Sequence, residues 1–261
     1  MTGRSGVQVL DFGDGHGAPT ARVHPDADLA AVAAELGLNG PRPVLVVVGG
    51  ASGLDERRKE RLRSLFSQAL VPVARAWNAV VVDGGTDSGV MQLLGQAVST
   101  QRASFPLVGV AADGKVILPG ERTELGGRRA LERHHTHFVL VPGSSWGDES
   151  PWLARVATAI AAGAPSATVL INGGDIAFRD VANSLRADRP VLVIKGTGRA
   201  ADRIAAALDG DGADAQAARL AGSSLVTAVP WAEGPPAVRA ALEKLANRPP
   251  AGEPRTEPSA D

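Results

Sequence analysis

Five short segments of this chain set glycine beside a hydroxyl, a charge or an aromatic ring, each just after an apolar run. They are Gly49-Gly50, Gly84-Gly85-Thr86-Asp87-Ser88-Gly89, Gly143-Ser144-Ser145-Trp146, Gly173-Gly174-Asp175 and Gly196-Thr197-Gly198-Arg199. Glycine tolerates tight turns and lets a backbone come close to a ligand. Small hydroxyls and backbone N–H groups donate hydrogen bonds, and a helix start adds a positive dipole end. The chemistry these residue types share is capture of a phosphate-like anion. Each segment alone reads equally well as a strand-to-helix turn, with Thr86, Ser88 or Asp175 capping the helix that follows. Five together favour a phosphorylated or nucleotide-like ligand. Arg199 adds weight: a cation at a helix start opposes the dipole, and a neighbouring anion would account for it. Neither the Walker pattern nor a strict G-x-G-x-x-G is present, so ordinary triphosphatases and dinucleotide dehydrogenases lose support.

Such loops need a scaffold that brings them to one edge. The apolar runs at residues 44–48, 79–83, 107–111, 138–141, 167–171 and 191–194 are valine-rich and mostly continuous rather than alternating. That pattern predicts strands buried on both faces. Helical periodicity fills the gaps, at residues 57–77, 90–98, 152–162, 176–185 and 200–208. Alternation of strand and helix predicts a Rossmann-like, doubly wound α/β fold with a mostly parallel sheet and helices on both faces. In such a sheet the carboxyl ends of the strands form the ligand crevice. Residues 1–40 read as an N-terminal embellishment, an accessory hairpin and a helix over 28–36, packed on a main domain spanning 41–246. Residues 113–129 form an excursion rich in Gly, Arg and Glu. The Pro-rich polar stretch 247–261 reads as a disordered tail.

In motif order, "GGA", "VVDGGTDSGVMQLLGQA", "HHTHFVLVPGSSWGDESPWL", "NGGDIAFRDV" and "RPVLVIKGTGRAADRIA" resemble the SLOG superfamily. The resemblance is to its prokaryotic branch (LSDAT), related to the N-terminal cytosolic domain of melastatin-type TRP channels. It covers roughly residues 42–208. It implies a Rossmann-like fold that binds nucleotide-derived ligands of the ADP-ribose, NAD or AMP class, as a sensing module and with no cofactor required. It implies a phosphate loop through Gly84, Gly85, Thr86, Ser88 and Gly89. Trp146 stands where a ligand-stacking aromatic occurs, Glu149 where the family's acid occurs, and Arg199 where an arginine can reach phosphate. Leu153 stands where the family has a basic residue, with Arg155 as the nearest substitute. Gly49, Gly50, Gly143, Ser144, Gly174, Asp175, Gly196, Thr197 and Gly198 complete the expected binding set. A cousin branch, the lysine-decarboxylase-like or cytokinin-activating (LOG) proteins, cleaves nucleoside monophosphates to base and ribose phosphate; DNA-processing DprA proteins are more distant. Here "PGSSWGDES" keeps Pro142, Gly143 and Glu149 of that branch's signature but lacks its Gly-Thr pair. An N-glycosidase with Glu149 as its catalytic acid is therefore the alternative reading, and a scaffold with a vestigial pocket the third.

Composition narrows the partners. Lys plus Arg (27) nearly balance Asp plus Glu (28), so no net field favours nucleic acid or an anionic membrane. Cysteine is absent, which removes thiolate metal sites and thiol nucleophiles. No apolar stretch reaches the length of about 20 residues that a membrane span requires, and the first residues lack the apolar core of a signal peptide. A cytoplasmic protein is expected, with a small nucleotide ligand as its partner. Related folds often dimerise, so a homo-oligomer stays open. The run His134-His135-Thr136-His137 invites a metal, but its ligand count is short, and no metal site is expected.

Overall fold

The computed structural model describes residues 6–13, 15–50, 56–121 and 126–246. The tail expected from residue 247 lies outside the described residues, as does Ala51 of the "GGA" motif.

In chain order the elements are β1 (Val7–Asp11), β2 (Gly17–Arg22), α1 (Leu29–Glu35), β3 (Val44–Gly49), α2 (Glu56–Leu65), a π turn (Phe66–Leu70) and α3 (Val71–Ala76). There follow β4 (Val80–Asp83), α4 (Gly89–Thr100), β5 (Leu107–Ala112), β6 (Val116–Ile117), β7 (Arg129–Ala130), β8 (His137–Val141), α5 (Ser150–Ala161) and β9 (Ser166–Ile171). The chain continues through α6 (Asp175–Arg186), β10 (Val191–Lys195), α7 (Arg199–Leu208), α8 (Ala215–Ala221), β11 (Val226–Pro230) and α9 (Gly234–Ala246).

Nine strands form one sheet in the order β1-β2-β8-β5-β4-β3-β9-β10-β11. Every neighbouring pair is parallel except β1 and β2. The N-terminal hairpin forms as expected, and its second strand also extends the main sheet by pairing with β8. The continuous valine runs are explained by burial on both faces. Val44, Val46 and Val48 of β3 pack with Leu153, Ile160 and Phe178 on one face. Leu45 and Val47 of the same strand pack with Phe66, Leu70 and Leu94 on the other. Each such side chain, fully buried, contributes about 1.5–3 kcal/mol, so both faces of β3 are apolar along its length.

Strand order sets where a ligand can enter. From β3 the chain winds outward through β4 and β5 to β8, then returns to place β9 on the other side of β3. The winding direction reverses between β3 and β9, and open α/β sheets leave a crevice at such a switch point. Since these strands are parallel, the carboxyl ends of β3, β4, β8, β9 and β10, each with the glycine that ends or follows it, all lie at one edge.

Several elements lie outside the sequence reading, among them α8, α9 and the β6–β7 pair. The helix expected over 57–77 is interrupted by the π turn, which ends at Leu70, two residues before Pro72. Proline has no N–H to close the α-helical bond at that point, and the wider turn absorbs the loss. The ninth sheet strand, β11, was not read from the sequence: Val226–Pro230 has one buried residue, too weak an apolar run to declare itself.

Candidate functional site

The loop after β4 is built from inside. Asp83, at the end of β4, is fully buried and accepts the Gly85 N–H at 2.7 Å. Gly85 has φ +65°, and a Cβ there would lie 2.7 Å from the Gly109 Cα and 3.2 Å from the Phe138 ring. Its glycine is required for packing against β5 and β8, a role the phosphate reading did not foresee. Gly84 is different, since a Cβ there meets only Met91 at ordinary contact distance. The segment after the excursion clamps the loop: Asp87 N–H donates to Ala130 O (2.8 Å), Glu132 N–H donates to Gly85 O (2.9 Å), and Thr86 bridges Leu131. Ser88 occupies the N-cap of α4 without making a side-chain cap bond, and its Oγ lies 3.5 Å from the Thr86 Oγ1. Both hydroxyls line the cavity. The expected capping role is thus not taken up by Ser88.

Beneath this loop lies a charged cluster with little or no solvent contact. His135 Nε2 is 2.8 Å from Asp83 Oδ1, and its Nδ1 is 2.8 Å from Glu132 Oε2. Glu132 Oε1 also meets His134 Nδ1 at 2.6 Å. Burial alone would lower the His135 pKa, but the two carboxylates outweigh it and push it up to about 9. Burial alone would raise Glu132, yet its bonds to His135 and His134 hold it below the usual carboxylate range. His135, with His134 beside it, therefore packs as a support against Asp83 and Glu132, while His137 bonds Thr136 Oγ1 instead. Among the described residues no group of three or more His, Asp or Glu could hold a metal ion.

The opposite wall comes from the loops after β9 and β10. Asn172, buried at φ +58°, donates from Nδ2 to Thr197 O at 2.7 Å, and its N–H donates to Thr197 Oγ1 at 2.8 Å. The first N–H groups of α7 are also spent internally: Ala200 donates to Gly173 O and Ala201 to Asn172 O. Gly196 N–H donates to Asp202 Oδ1 at 2.6 Å. Thr197 ties the two loops together, and Gly196, Thr197 and Gly198 do not line the cavity. Arg199 does, from φ +53°. A Cβ on Gly174 would sit 2.9 Å from its Nη2, so that glycine makes room for the guanidinium.

The third wall is the turn from β8 into α5. Ser144 and Ser145 N–H both donate to Asp148 Oδ2 at 2.9 Å, and a Cβ on Gly143 would strike the Asp148 side chain. Gly143 and Ser144 shape this turn away from the cavity. Trp146 lines the mouth, with its Nε1 donating to Gly127 O at 3.1 Å and Lys115 Nζ 5.6 Å from its ring centre. Glu149 Oε2 accepts the Gly147 N–H at 2.9 Å, and burial raises its pKa. Arg155 stacks on the Trp152 ring at 4.4 Å and faces a separate groove beside α1.

The resulting cavity holds about 400 Å³, within the size range of small-molecule sites. Of the residues expected from sequence, Gly49, Gly50, Gly84, Thr86, Ser88, Trp146, Glu149, Gly174, Asp175 and Arg199 line it. Gly85 and Gly89 do not line it; Gly89 opens α4 at φ +56°. Two charged residues of the lining were missed, Arg129 and Asp180. Arg129 sits in the excursion, whose sequence reads as an insertion. Asp180 lies mid-helix, where an acid normally marks a solvated face. Arg129 and Arg199 give the cavity cationic walls; Glu149, Asp175 and Asp180 give it acidic ones.

The model of the family described as "SLOG in TRPM, prokaryote" matches residues 42–240. Among curated proteins, transient receptor potential cation channel subfamily M member 2 of Mus musculus is 28% identical over 208 residues, covering 65% of this chain and 13% of that protein. Subfamily M member-like 2 of Nematostella vectensis is 27% identical over 237 residues, covering 74% of this chain and 15% of its own length. Subfamily M member 7 of Homo sapiens is 25% identical over 215 residues, covering 69% and 11%. This chain therefore spans well under a quarter of the curated relatives it matches. Among the described residues no helix is long and apolar enough to cross a membrane.

Proposed function

The chain belongs to the prokaryotic branch of the SLOG domains found in TRPM channels, and on that premise we propose that it binds a nucleotide-derived ligand of the ADP-ribose, NAD or AMP class. One observation carries the reading. Residues from the turns after β3, β4, β8 and β9, together with Arg199 at the start of α7, line a single cavity at the winding reversal between β3 and β9. In the proposed complex the phosphates sit against Gly84, Thr86 and Ser88, with Arg129 and Arg199 as counter-charges. Trp146 offers a face for stacking and Glu149 an acceptor for a ribose hydroxyl or the base. The proposal concerns ligand capture in the cytoplasm by this domain; channel activity belongs to the much longer relatives.

Cleavage of an N-glycosidic bond is the second reading, favoured by one observation: Glu149 is an acid of raised pKa in the cavity, as a general acid would be. Against it, one oxygen of that carboxyl is already held by the Gly147 N–H.

A thermal-shift screen with ADP-ribose, NAD, AMP, cyclic nucleotides and ribose 5-phosphate tests the proposal. A ligand at tenfold excess over its dissociation constant should add about 1.4 kcal/mol of apparent stability. No shift from any of the nucleotides would reject it.

A further inference from the structure

Gly85 is held in a closed ring of hydrogen bonds. Its N–H donates to Asp83 Oδ1 at 2.7 Å, and the same oxygen meets His135 Nε2 at 2.8 Å. His135 Nδ1 lies 2.8 Å from Glu132 Oε2, and the Glu132 N–H donates back to Gly85 O at 2.9 Å. Asp83, His135 and Glu132 are all buried, and none of them lines the cavity. The ring passes through both polar groups of one glycine, so it sets the direction of the peptide on each side of it.

The peptide that matters for a ligand is Gly85–Thr86. In a trans peptide the N–H points opposite to the C=O. Glu132 holds the Gly85 carbonyl, and thereby aims the Thr86 N–H to the other side of the loop. Thr86 pairs with Leu131 as an antiparallel bridge, flanked by the bonds Glu132 N–H to Gly85 O and Asp87 N–H to Ala130 O. In that pattern the polar backbone groups of the central residue turn away from the partner strand. The Thr86 carbonyl accordingly accepts the Ser88 N–H at 2.7 Å. Thr86 and Ser88 both line the cavity. A peptide that follows glycine is the easiest in a chain to turn, so its direction has to be imposed from outside.

The Glu132 side chain is fixed in its turn. Its Oε2 also accepts the His134 N–H at 3.0 Å, and its Oε1 meets His134 Nδ1 at 2.6 Å. From the other side α4 presses on it, and a Cβ on Gly95 would overlap the carboxyl. Resting on the nucleotide reading above, we propose that Glu132 is a positioning residue for phosphate capture: by closing the ring around Gly85 it aims the Thr86 N–H at the ligand's phosphate, without touching the ligand itself.

The test uses the full chain and two probes that share base and ribose but differ in phosphate, ADP-ribose and adenosine. Calorimetric titration of the parent should show ADP-ribose bound at least tenfold tighter. Glu132→Ala opens the ring and should lose about tenfold in ADP-ribose affinity, the effect of one hydrogen bond to a charged group, while adenosine affinity changes less than about twofold. Glu132→Gln keeps an oxygen for His135 and should stay within about threefold of the parent for both probes. Gly95→Ala displaces the carboxyl from a helix position that otherwise favours alanine, and should repeat the selective loss. Urea denaturation confirms that each variant is folded. In the parent, nitrogen–proton correlation spectra should show the Thr86 amide moved by ADP-ribose and left in place by adenosine, a readout that needs no variant. Equal losses for the two probes, or no loss, in the alanine variants overturn the proposal while leaving the nucleotide reading intact. A Glu132→Gln variant as weak as Glu132→Ala overturns it in the same way, as does a Thr86 amide that bound ADP-ribose does not move. Failure of ADP-ribose to bind the folded parent overturns the nucleotide reading and the proposal with it.

Discussion

His135 Nε2 and Asp83 Oδ1 are bonded at 2.8 Å, and neither side chain has exposed surface. The bond joins the entrance of β8 to the end of β4, below the loop that carries Gly84, Thr86 and Ser88. The same Asp83 oxygen accepts the Gly85 N–H. The loop's geometry thus depends on a charged support that does not line the cavity.

That support makes stability depend on pH. His135 has its folded-state pKa raised from 6.5 to about 9. A raised basic group stabilises the fold fully below its unfolded pKa, and the contribution is lost as pH rises through the folded value. Stability should therefore decline between about pH 6.5 and pH 9, by on the order of 3 kcal/mol at most. Urea unfolding across that range measures it. His135→Gln should remove the pH dependence and cost about 3–5 kcal/mol, because two buried carboxylates lose their counter-charge. A flat profile in the parent would contradict the ion-paired state.

The two glycines of the loop should separate. Gly85→Ala places a Cβ 2.7 Å from the Gly109 backbone at φ +65°, and should destabilise by about 2–4 kcal/mol through overpacking and backbone strain. Gly84→Ala meets only Met91 at 3.8 Å and should stay within about 1 kcal/mol of the parent. Its effect should fall on ligand affinity. Chemical denaturation of both variants checks the ranking, and equal stability losses would show that the loop packs otherwise.

Binding without turnover is expected. Glu149 is tethered by the Gly147 N–H, and the Gly-Thr pair that precedes the acid in the cytokinin-activating enzymes is missing from "PGSSWGDES". Loose positioning alone can forfeit several kcal/mol of a barrier reduction. Chromatography of AMP, NAD or ADP-ribose incubated with the protein for many hours should detect no free adenine or nicotinamide. Base release that vanishes in Glu149→Gln would establish the hydrolase instead.

The sheet was legible in the sequence because burial on both faces forces continuous apolar runs, and Val44–Val48 or Val191–Ile194 can hardly be anything else. The glycine loops were legible for the same reason: they interrupt those runs. What each glycine does was not legible. Gly85 packs against Gly109 and Phe138, and Gly174 makes room for Arg199; both roles arise from partners distant in sequence. Asp180 and Arg129 were missed because a charge on a helix or in a polar excursion carries no local mark of facing inward. The partnership of His135 with Asp83 spans 52 positions, and the histidine run was weighed only against neighbours on its own strand. Arg155, chosen by its position in a motif, lies on the far side of α5.

The central claim is that this cavity holds a nucleotide-derived ligand by its phosphates, and Arg199 tests it most directly. Arg199 lines the cavity at φ +53°, a conformation that costs a non-glycine residue roughly 1–2 kcal/mol. The measurement is calorimetric titration of ADP-ribose into the parent and into Arg199→Glu, with both confirmed folded by urea denaturation. The expected result is one site per chain in the parent and at least a tenfold loss of affinity in the variant, about 1.4 kcal/mol or more. Equal affinity in the two proteins would contradict the assignment of phosphate to this cavity, and no binding to the folded parent would contradict the claim itself.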